Sequence, residues 1–233
     1  PHNLTLTMIG AGLLWTGWYG FNVGSMVFTD DTIANWGDFS TQFANEMSVT
    51  FMNTTIATMA AMLGWLVIER ILHGKATSLG AASGIVAGLV AITPAAGAVN
   101  LSGAVAIGAI AGAVCAWAVG LKYKLGYDDS LDVVGVHLVG GIIGTVLIGV
   151  FSTSEGAGGV DGLLYGGGFG SLGAQALGVL VAVLYSGVLT TVIALAIKLT
   201  IGLRLDEEDE VNGIDLAAHG ESAYDLHSGT SGG

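Results

Sequence analysis

The sequence predicts an all-α fold, a polytopic bundle of membrane-spanning helices, from its composition and from the way its apolar residues are distributed. Of the 233 residues, 52% are hydrophobic and only 10% are charged, whereas an ordinary soluble domain carries roughly 25% charged residues. The mean hydropathy is +0.74. The apolar residues form long runs without the period-two alternation of barrel strands. The chain is therefore expected to be an integral membrane protein.

Six apolar runs are long enough to cross a bilayer, which takes about 20 residues of α-helix. A buried soluble helix and a barrel strand are excluded for these runs by their length and periodicity. The last run exceeds the hydrocarbon thickness, so the final helix is expected to be strongly tilted or kinked. The six predicted transmembrane helices cover residues 4–28, 44–72, 78–98, 102–125, 131–152 and 171–202.

The six basic residues predict the orientation of these spans. They lie between spans two and three, between spans four and five, and at the end of span six, so they share one side if every run crosses. Because basic loops face the cytoplasm, both ends of this segment are predicted to be cytoplasmic in a multi-pass protein of the cell membrane. The opposite side receives residues 28–40, 94–100 and 152–168, which contain no Lys or Arg.

The acidic residues give a net charge of −12 and cluster at 30–31, 128–132 and 206–210. A solvated acidic surface and an acidic docking tail are both compatible with this pattern. Residues 1–205 are predicted to form a transmembrane domain and residues 206–233 an acidic cytoplasmic tail. No nucleic-acid partner is expected.

The sequence contains none of the motifs of an ATPase, a serine hydrolase or a zinc protease, so it offers no support for an enzyme of those classes. Cys115 is the single cysteine, which excludes a disulfide within this chain and argues against a thiolate metal cluster. We therefore expect no cofactor and no metal.

Glycines four residues apart predict close contacts between helices, because small residues let two backbones approach. We expect a tight, rigid bundle with little room for a large substrate. The glycines in question are Gly20 with Gly24, Gly80 with Gly84 and Gly88, Gly108 with Gly112, and Gly140 with Gly144.

His137 is the only ionisable residue between Asp132 and the end of the fifth span. A charge at bilayer depth costs several kcal/mol, so the imidazole is expected to be neutral and to face a pore or a polar partner. A neutral imidazole both donates and accepts hydrogen bonds and exchanges a proton readily. Helical spacing places His137 on one face with Val133, Val134 and Gly141. A packing histidine with a satisfied hydrogen bond and a residue lining a pathway remain alternatives.

Two polar pairs are interpreted structurally. Asp129 and Asp132 precede the fifth span and are predicted to cap its free N–H groups and to complement the helix dipole. Thr93 and Pro94 lie near the outer end of the third span, where the proline is predicted to end or kink the helix and the threonine to satisfy a freed carbonyl.

The first span carries an aromatic face toward its outer end. Leu14, Trp18 and Phe21 share one face, and Asn22 and Ser25 lie nearby. One interpretation is a belt of aromatic residues at the membrane interface. The other is a vestibule in which aromatic rings attract a small cation and Ser25 accepts a hydrogen bond from it.

Four stretches taken together resemble the ammonium transporter family (Amt/Mep/Rh). They are PHNLTLTMIGAGLLWTGWYGFNVGS, HGKATSLGAASGIVAGLVAITPAAG, DDSLDVVGVHLVGGIIGT and GLRLDEEDEVNGIDLAAHGESAY. The resemblance covers nearly the whole chain in order. Family members have eleven spans, built from two inverted five-helix repeats and a long tilted final helix. The chain resembles the second repeat plus that final helix, and because it begins at Pro1 the first half is expected upstream.

The resemblance implies roles for individual residues. His137 is similar to the second of two pore histidines, Phe21 to one of two stacked gate phenylalanines, and Ser25 to a hydrogen-bonding residue of the outer recruitment site. The first pore histidine belongs to the family's other half, and His2 does not replace it. Residues similar to pore-facing or pore-supporting positions, or to a small polar position of the third span, are Trp18, Asn22, Leu14, Val133 and Thr93.

The function that the resemblance implies is passage of ammonium or ammonia through a hydrophobic pore, without covalent chemistry. Family members assemble as homotrimers with one pore per subunit, surrounded by membrane lipid, and a PII-type regulatory protein docks on their cytoplasmic face. One alternative is an ammonium sensor or receptor that signals through its tail. Another is a non-conducting fragment.

Overall fold

The computed structural model describes residues 2–27, 35–156 and 159–222. Part of the first predicted outer loop (28–34), two residues of the third predicted outer loop (157–158) and the end of the predicted tail (223–233) lie outside the described residues. Within those ranges the chain is helical, and its β-structure is a single isolated bridge between Val99 and Ser152. The elements are α1 (Leu4–Val23), α2 (Trp36–His73), α3 (Ser78–Ile92), α4 (Leu101–Ala118), α5 (Leu121–Leu125), a π-helical turn (Val133–Leu138), α6 (Val139–Phe151), a 3-10 turn (Leu163–Tyr165), α7 (Gly170–Thr200), α8 (Glu207–Asn212) and a C-terminal π-helical turn (Asp215–His219).

Helices occupy all six predicted spans, which confirms the all-α membrane fold. Within the described part of the chain, four segments are long and apolar enough to cross a membrane: Gly37–His73, Leu101–Leu125, Val133–Phe151 and Gly170–Thr200. The α3 helix is apolar but has only 15 residues, which is about 22 Å of helix. The α1 helix has 20 residues but is not one of these four segments. It contains tryptophans and a tyrosine, whose side chains are amphipathic and not purely apolar.

Capping residues explain where helices and predicted spans differ. The α2 helix begins at Trp36, well before the predicted residue 44, because the Asn35 side chain accepts the N–H of Gly37 at 3.2 Å. Its first turns are polar, so a search for apolar runs misses them. The helix ends where Gly74, at φ 79°, donates to the Arg70 carbonyl, a left-handed conformation that suits glycine.

The third helix ends at Ile92 and not at residue 98, because Pro94 has no N–H to continue it. The Thr93 hydroxyl donates to the Leu89 carbonyl at 2.6 Å. The prediction that proline ends this helix is confirmed. The prediction that threonine satisfies the freed carbonyl is wrong, because the hydroxyl shares the Leu89 carbonyl with the Thr93 N–H. In a regular helix, the N–H of residue 94 would bond to the Val90 carbonyl, and proline has no N–H to do so. The Thr93 hydroxyl bonds instead to the Leu89 carbonyl, one residue earlier.

Backbone contacts at glycines hold α2, α3, α4 and α6 together. A Cβ added at Gly112 of α4 would meet the Ala61 carbonyl of α2, and one added at Gly144 of α6 would meet the Ala91 carbonyl of α3. Gly84, Gly88 and Gly108 approach α2 in the same way, and the neighbouring alanines Ala57, Ala61, Ala91, Ala104 and Ala111 are fully buried. The predicted close packing through small residues is confirmed for these helices.

The predicted Gly20–Gly24 contact is wrong for the described residues. A Cβ at Gly20 would meet nothing within 4 Å, and at Gly24 it would meet only the Gly20 carbonyl of its own helix. The spacing identifies a small-residue stripe, but the partner depends on which helix lies opposite. No backbone of another helix approaches this stripe closely within the described residues.

A buried asparagine satisfies the irregular backbone that follows Pro94. The Asn53 side chain of α2 is fully buried, and its amide donates to the Ala96 carbonyl at 2.8 Å and to the Val99 carbonyl at 2.7 Å. Non-helical backbone at membrane depth requires such partners, because no water is present to bond to it. The α2 helix thereby stabilises the backbone that follows the C-terminal end of α3.

The chain divides into a compact unit of residues 1–180 and another of residues 181–233. The α7 helix runs without interruption for 31 residues and has no buried residue, and its predicted tilt or kink stays a prediction. Within the second unit, the Arg204 guanidinium donates to both carboxylate oxygens of Glu210, at 3.1 and 3.2 Å. The division at residues 205 and 206 into a transmembrane domain and a tail also stays a prediction.

Candidate functional site

His137 lies in a π-helical turn, with its side chain exposed on the surface of the described chain. Its imidazole forms no hydrogen bond with any residue in 2–27, 35–156 or 159–222. Gly135 and Val136 of the same turn are buried, so the turn has a packed side and an open side. His137 lies on the open side, and no described residue satisfies its imidazole.

The regular α-helix predicted through residues 131–152 is wrong at its start. The N–H of Val139 bonds to the carbonyl of Val134, five residues earlier, which is the hydrogen bond of a π-helix. This wider turn changes the spacing that was used to place Val133, Val134 and Gly141 on the face of His137. Val133 remains on an open surface, with 52% of the residue exposed.

One of the two predicted capping aspartates caps the π-helical turn. The Asp129 carboxylate accepts the N–H of Val133 at 2.7 Å and that of Val134 at 2.9 Å. Asp132 occupies the N-cap position, but its side chain makes no capping bond. It pairs instead with Lys122, with 2.6 Å between Oδ1 and Nζ. The capping prediction is therefore correct for Asp129 and wrong for Asp132, whose carboxylate is taken by a lysine of α5.

A hydrogen-bonded chain ties the aromatic face of α1 to α3. The Trp18 indole N–H donates to the Thr93 hydroxyl at 2.7 Å, and that hydroxyl donates to the Leu89 carbonyl. The Trp18 and Phe21 ring centroids are 6.0 Å apart, with the planes inclined at 54°. Because the indole N–H is bonded inside the protein, Trp18 does not present it to a membrane interface as a belt residue does.

An apolar groove of about 550 Å³ follows this face of α1. Leu14 and Phe21 line it together with Trp18, and 51% of Leu14 and 61% of Phe21 is exposed. The α1 surface therefore exposes large apolar side chains next to Trp18. The face that was predicted from spacing is present as a continuous surface.

A polar cavity of about 300 Å³ lies at the C-terminal end of α1, lined by Asn22, Ser25, Thr93 and Glu46 among others. Asn22 is 6% exposed, and its amide N–H donates to the Thr54 hydroxyl at 3.0 Å. Its amide oxygen has no partner among the described residues. The Ser25 hydroxyl donates to the Phe21 carbonyl at 2.6 Å, so the lone pairs of that hydroxyl oxygen are available to accept.

These acceptors give the cavity a defined chemistry. A hydroxyl oxygen and a carboxylate are suited to a small donor that carries positive charge. Within the described ranges, no group of three or more His, Cys, Asp or Glu side chains is placed to hold a metal ion.

The structure brings the predicted residues together in two groups. Trp18, Phe21, Asn22, Ser25 and Thr93 gather where α1 meets α3. His137 and Val133 lie on the π-helical turn, and α3 contacts both α1 and that turn. The α3 helix therefore stands between the two groups and connects them.

Sequence reasoning missed three partners of these residues. Thr54 supports Asn22, Glu46 lines the polar cavity, and Lys122 pairs with Asp132. The sequence does contain a signal for Thr54. Polar residues recur three or four positions apart within the apolar run of α2, at Thr50, Asn53, Thr54 and Thr58. The other two are single charged residues without a recognisable spacing.

The chain is similar to known proteins over nearly its whole length. The model of the Ammonium Transporter Family matches residues 1–224. The chain is 58% identical over 232 residues to an ammonium transporter of Mycobacterium tuberculosis, covering 97% of this chain and 46% of that protein. This chain thus spans about half the length of the curated relatives that it matches.

Solved structures show the same fold. A crystal structure of Saccharomyces cerevisiae Mep2 superposes with a TM-score of 0.73 at 32% identity, covering 89% of this chain and 45% of that one. A structure titled "Sensor Amt Protein" gives a TM-score of 0.76 at 31% identity, covering 93% and 49%. By the extent of the family match and by these superpositions, the chain is a multi-pass membrane protein that belongs to the ammonium transporter family.

Proposed function

We propose that this chain forms one half of a pore that conducts ammonium or ammonia across the cell membrane, with His137 in the conduction path. The observation that carries the proposal is an exposed imidazole within a membrane-spanning segment, without a hydrogen-bond partner in the described chain. Ionisable residues inside a membrane face a pathway or a partner. In this proposal, the surface around His137 lines the pore.

The outer end of α1 supports a role in cation recruitment. Aromatic rings attract a small cation through the negative face of the ring, and Phe21 and Trp18 lie next to the polar cavity that contains Ser25. The Ser25 hydroxyl donates to the Phe21 carbonyl, so its oxygen is available to accept a hydrogen bond from an N–H group of ammonium. Potassium has no proton to release, so it cannot cross the apolar groove and pass the imidazole as a neutral species.

Passage beyond the vestibule requires the cation to lose its water. The apolar groove along Leu14 and Phe21 offers no hydrogen bonds, so a charged ion is disfavoured there. A neutral imidazole at His137 accepts a proton or a hydrogen bond and returns it. Ammonium therefore passes either by relay between imidazoles or as separated ammonia and proton, with no covalent chemistry.

The assembly is proposed to follow the family's pattern. The complete protein is a homotrimer with one pore per subunit, and the partner of His137 is a histidine in the half that precedes this chain. The basic residues of the loops favour cytoplasmic positions for both ends of this segment. The acidic residues at 206–210 then face the cytoplasm, where a PII-type regulatory protein would dock.

One of the superposed structures is named a sensor Amt protein, so the sensor alternative is compatible with this fold. Transport is placed first because the curated relatives are named as transporters. The non-conducting fragment is the outcome expected if the half with the other histidine is missing from the natural protein.

The function is tested in cells that lack their own ammonium transporters. Expression of the full-length protein is expected to restore growth at low ammonium and uptake of labelled methylammonium, with ammonium competing for that uptake. Potassium in large excess is expected not to compete. Absence of uptake, with the protein present in the membrane, would refute transport and leave the sensor.

Replacing Ser25 by alanine is expected to weaken recruitment more than conduction. A lost hydrogen bond of about 0.5–1.5 kcal/mol corresponds to a rise of roughly two- to tenfold in the KM for methylammonium. The maximal rate is expected to change less than twofold, and initial rates over a range of concentrations measure both. Ser40→Ala, an exposed serine near the start of α2, is the control, and equal KM values for the two variants would exclude Ser25 from recruitment.

A further inference from the structure

A lysine of α5 holds the loop that leads into the π-helical turn at two points. The Lys122 ammonium donates to the Asp132 carboxylate at 2.6 Å and to the backbone carbonyl of Asp129 at 2.9 Å. The side chains of Lys122 and Asp132 are only 15% and 32% exposed, so solvent screens this pair less than a pair on the open surface. Asp129 in turn binds the first N–H groups of the turn through its carboxylate.

Asp132 has an unfavourable backbone conformation at this point. Its φ of 57° makes it the one residue other than glycine with a positive φ in the described ranges. The left-handed region is unfavourable for a residue with a side chain, although Asp and Asn tolerate it better than most. Such conformations persist where neighbouring contacts compensate for them, and the contact that Asp132 makes through its side chain is the one to Lys122.

The conformation of this loop affects the direction of His137. Adding or removing one residue from a helical turn rotates the residues on one side of it by about 100° relative to the other side. Downstream of His137, the close contact of Gly144 with the Ala91 carbonyl packs α6 against α3. This contact opposes rotation of α6 about its axis. The upstream end is held by Lys122, and His137 lies between the two ends.

We propose that Lys122 is a positioning residue for His137. Its ammonium holds Asp132 and the Asp129 carbonyl, which stabilise the π-helical turn and thereby aim the imidazole into the conduction path. This inference rests on the proposed pore function, because it assigns His137 the role that Lys122 supports. Lys122 itself contacts neither substrate nor imidazole.

The test uses the full-length protein and uptake of labelled methylammonium. Lys122→Met removes the charge but keeps the length of the side chain, and the maximal rate is expected to fall about tenfold, within the range that a displacement of roughly 1 Å in a positioned group produces. The KM is expected to change less than about twofold, because the recruitment residues are on α1. Lys122→Arg is expected to restore most of the rate. Lys124→Met, an exposed lysine of the same short helix, is the matched control and is expected to transport like the unmodified protein.

A double-mutant cycle separates positioning from general damage. In a protein that already carries His137→Ala, Lys122→Met is expected to lower the residual rate by less than about twofold, because the group that it positions is gone. If the two substitutions multiply, or if Lys122→Met behaves like Lys124→Met, the positioning role is overturned. If Lys122→Met fails to reach the membrane, Asp132→Asn, which keeps a residue tolerant of positive φ, takes its place in the cycle.

Electron cryomicroscopy of Lys122→Met gives a readout that does not depend on transport. We expect the π-helical turn to change its hydrogen bonding and the His137 imidazole to move by at least about 1 Å. An unchanged turn and imidazole would overturn the positioning role even if the pore function holds. Normal uptake by His137→Ala would instead overturn the pore function, so the two failures are distinguished.

Discussion

Replacing His137 by alanine is expected to lower the rate of methylammonium uptake by the full-length protein at least about 100-fold, the lower range for loss of a group that transfers protons. Alanine has no nitrogen to donate, accept or exchange a proton. The imidazole is exposed in this chain and bonds to no described residue, so its removal is expected to leave folding unchanged. Initial uptake rates, normalised to the amount of protein in the membrane, measure the effect.

His73→Ala is the matched control for this substitution. His73 is an exposed residue in the last turn of α2, far along the chain from the turn that carries His137. We expect its replacement to leave uptake within about twofold of the unmodified protein, as for a surface substitution. Equal rates for the two alanine variants would contradict a role of His137 in the pore.

Replacing Gly144 by alanine is expected to destabilise the bundle. The added Cβ would overlap the Ala91 carbonyl of α3, and since both contacting groups are backbone, neither moves without shifting a helix. Overpacking costs about 1–3 kcal/mol in a well-packed core, and we expect the upper end of that range here. For the purified protein in detergent this corresponds to a fall of roughly 5–10 °C in the apparent melting temperature.

Gly141→Ala, three residues earlier on the same helix, is the control. A Cβ at Gly141 would meet nothing within 4 Å, and alanine favours a helix over glycine by up to about 1 kcal/mol. The Gly141 variant is therefore expected to melt at the same temperature as the unmodified protein or slightly above it. If both variants lose the same stability, the close contact between α6 and α3 does not determine the stability of the bundle.

Most of the fold could be predicted from hydropathy and from a few residues with strong local preferences. Runs of apolar residues identified all six helical regions, and Pro94 identified a break near the end of the third one. The start of α2 at Trp36 could not be found in this way, because its first turns are polar and only the Asn35 cap marks them. Apolar length reports the part of a helix that crosses the membrane and not the part that projects beyond it.

The glycine spacings show the limit of a pattern on one helix. Gly108 with Gly112 and Gly84 with Gly88 contact α2, whereas a Cβ at Gly20 would meet nothing within 4 Å among the described residues. The glycine spacing indicates that the backbone of another helix can approach closely. Whether a helix is placed there depends on the arrangement of the bundle. A pattern on one segment does not contain the identity of the second segment.

The site was predicted less completely than the fold. Helical spacing grouped Leu14, Trp18 and Phe21 correctly, and they line one groove. The π-helical turn was not predicted, because residues 133–138 are apolar apart from His137 and carry no mark of a wider turn. The pairing of Asp132 with Lys122 joins residues from separate helices, so it follows from packing and from no local rule.

Reconstitution of the purified full-length protein into liposomes tests the central proposal most directly. With the protein present, labelled methylammonium is expected to enter faster than in protein-free liposomes, to be displaced by ammonium and to be unaffected by a large excess of potassium. Entry at the rate of protein-free liposomes, or equal competition by potassium and ammonium, would contradict the account of a selective ammonium pore.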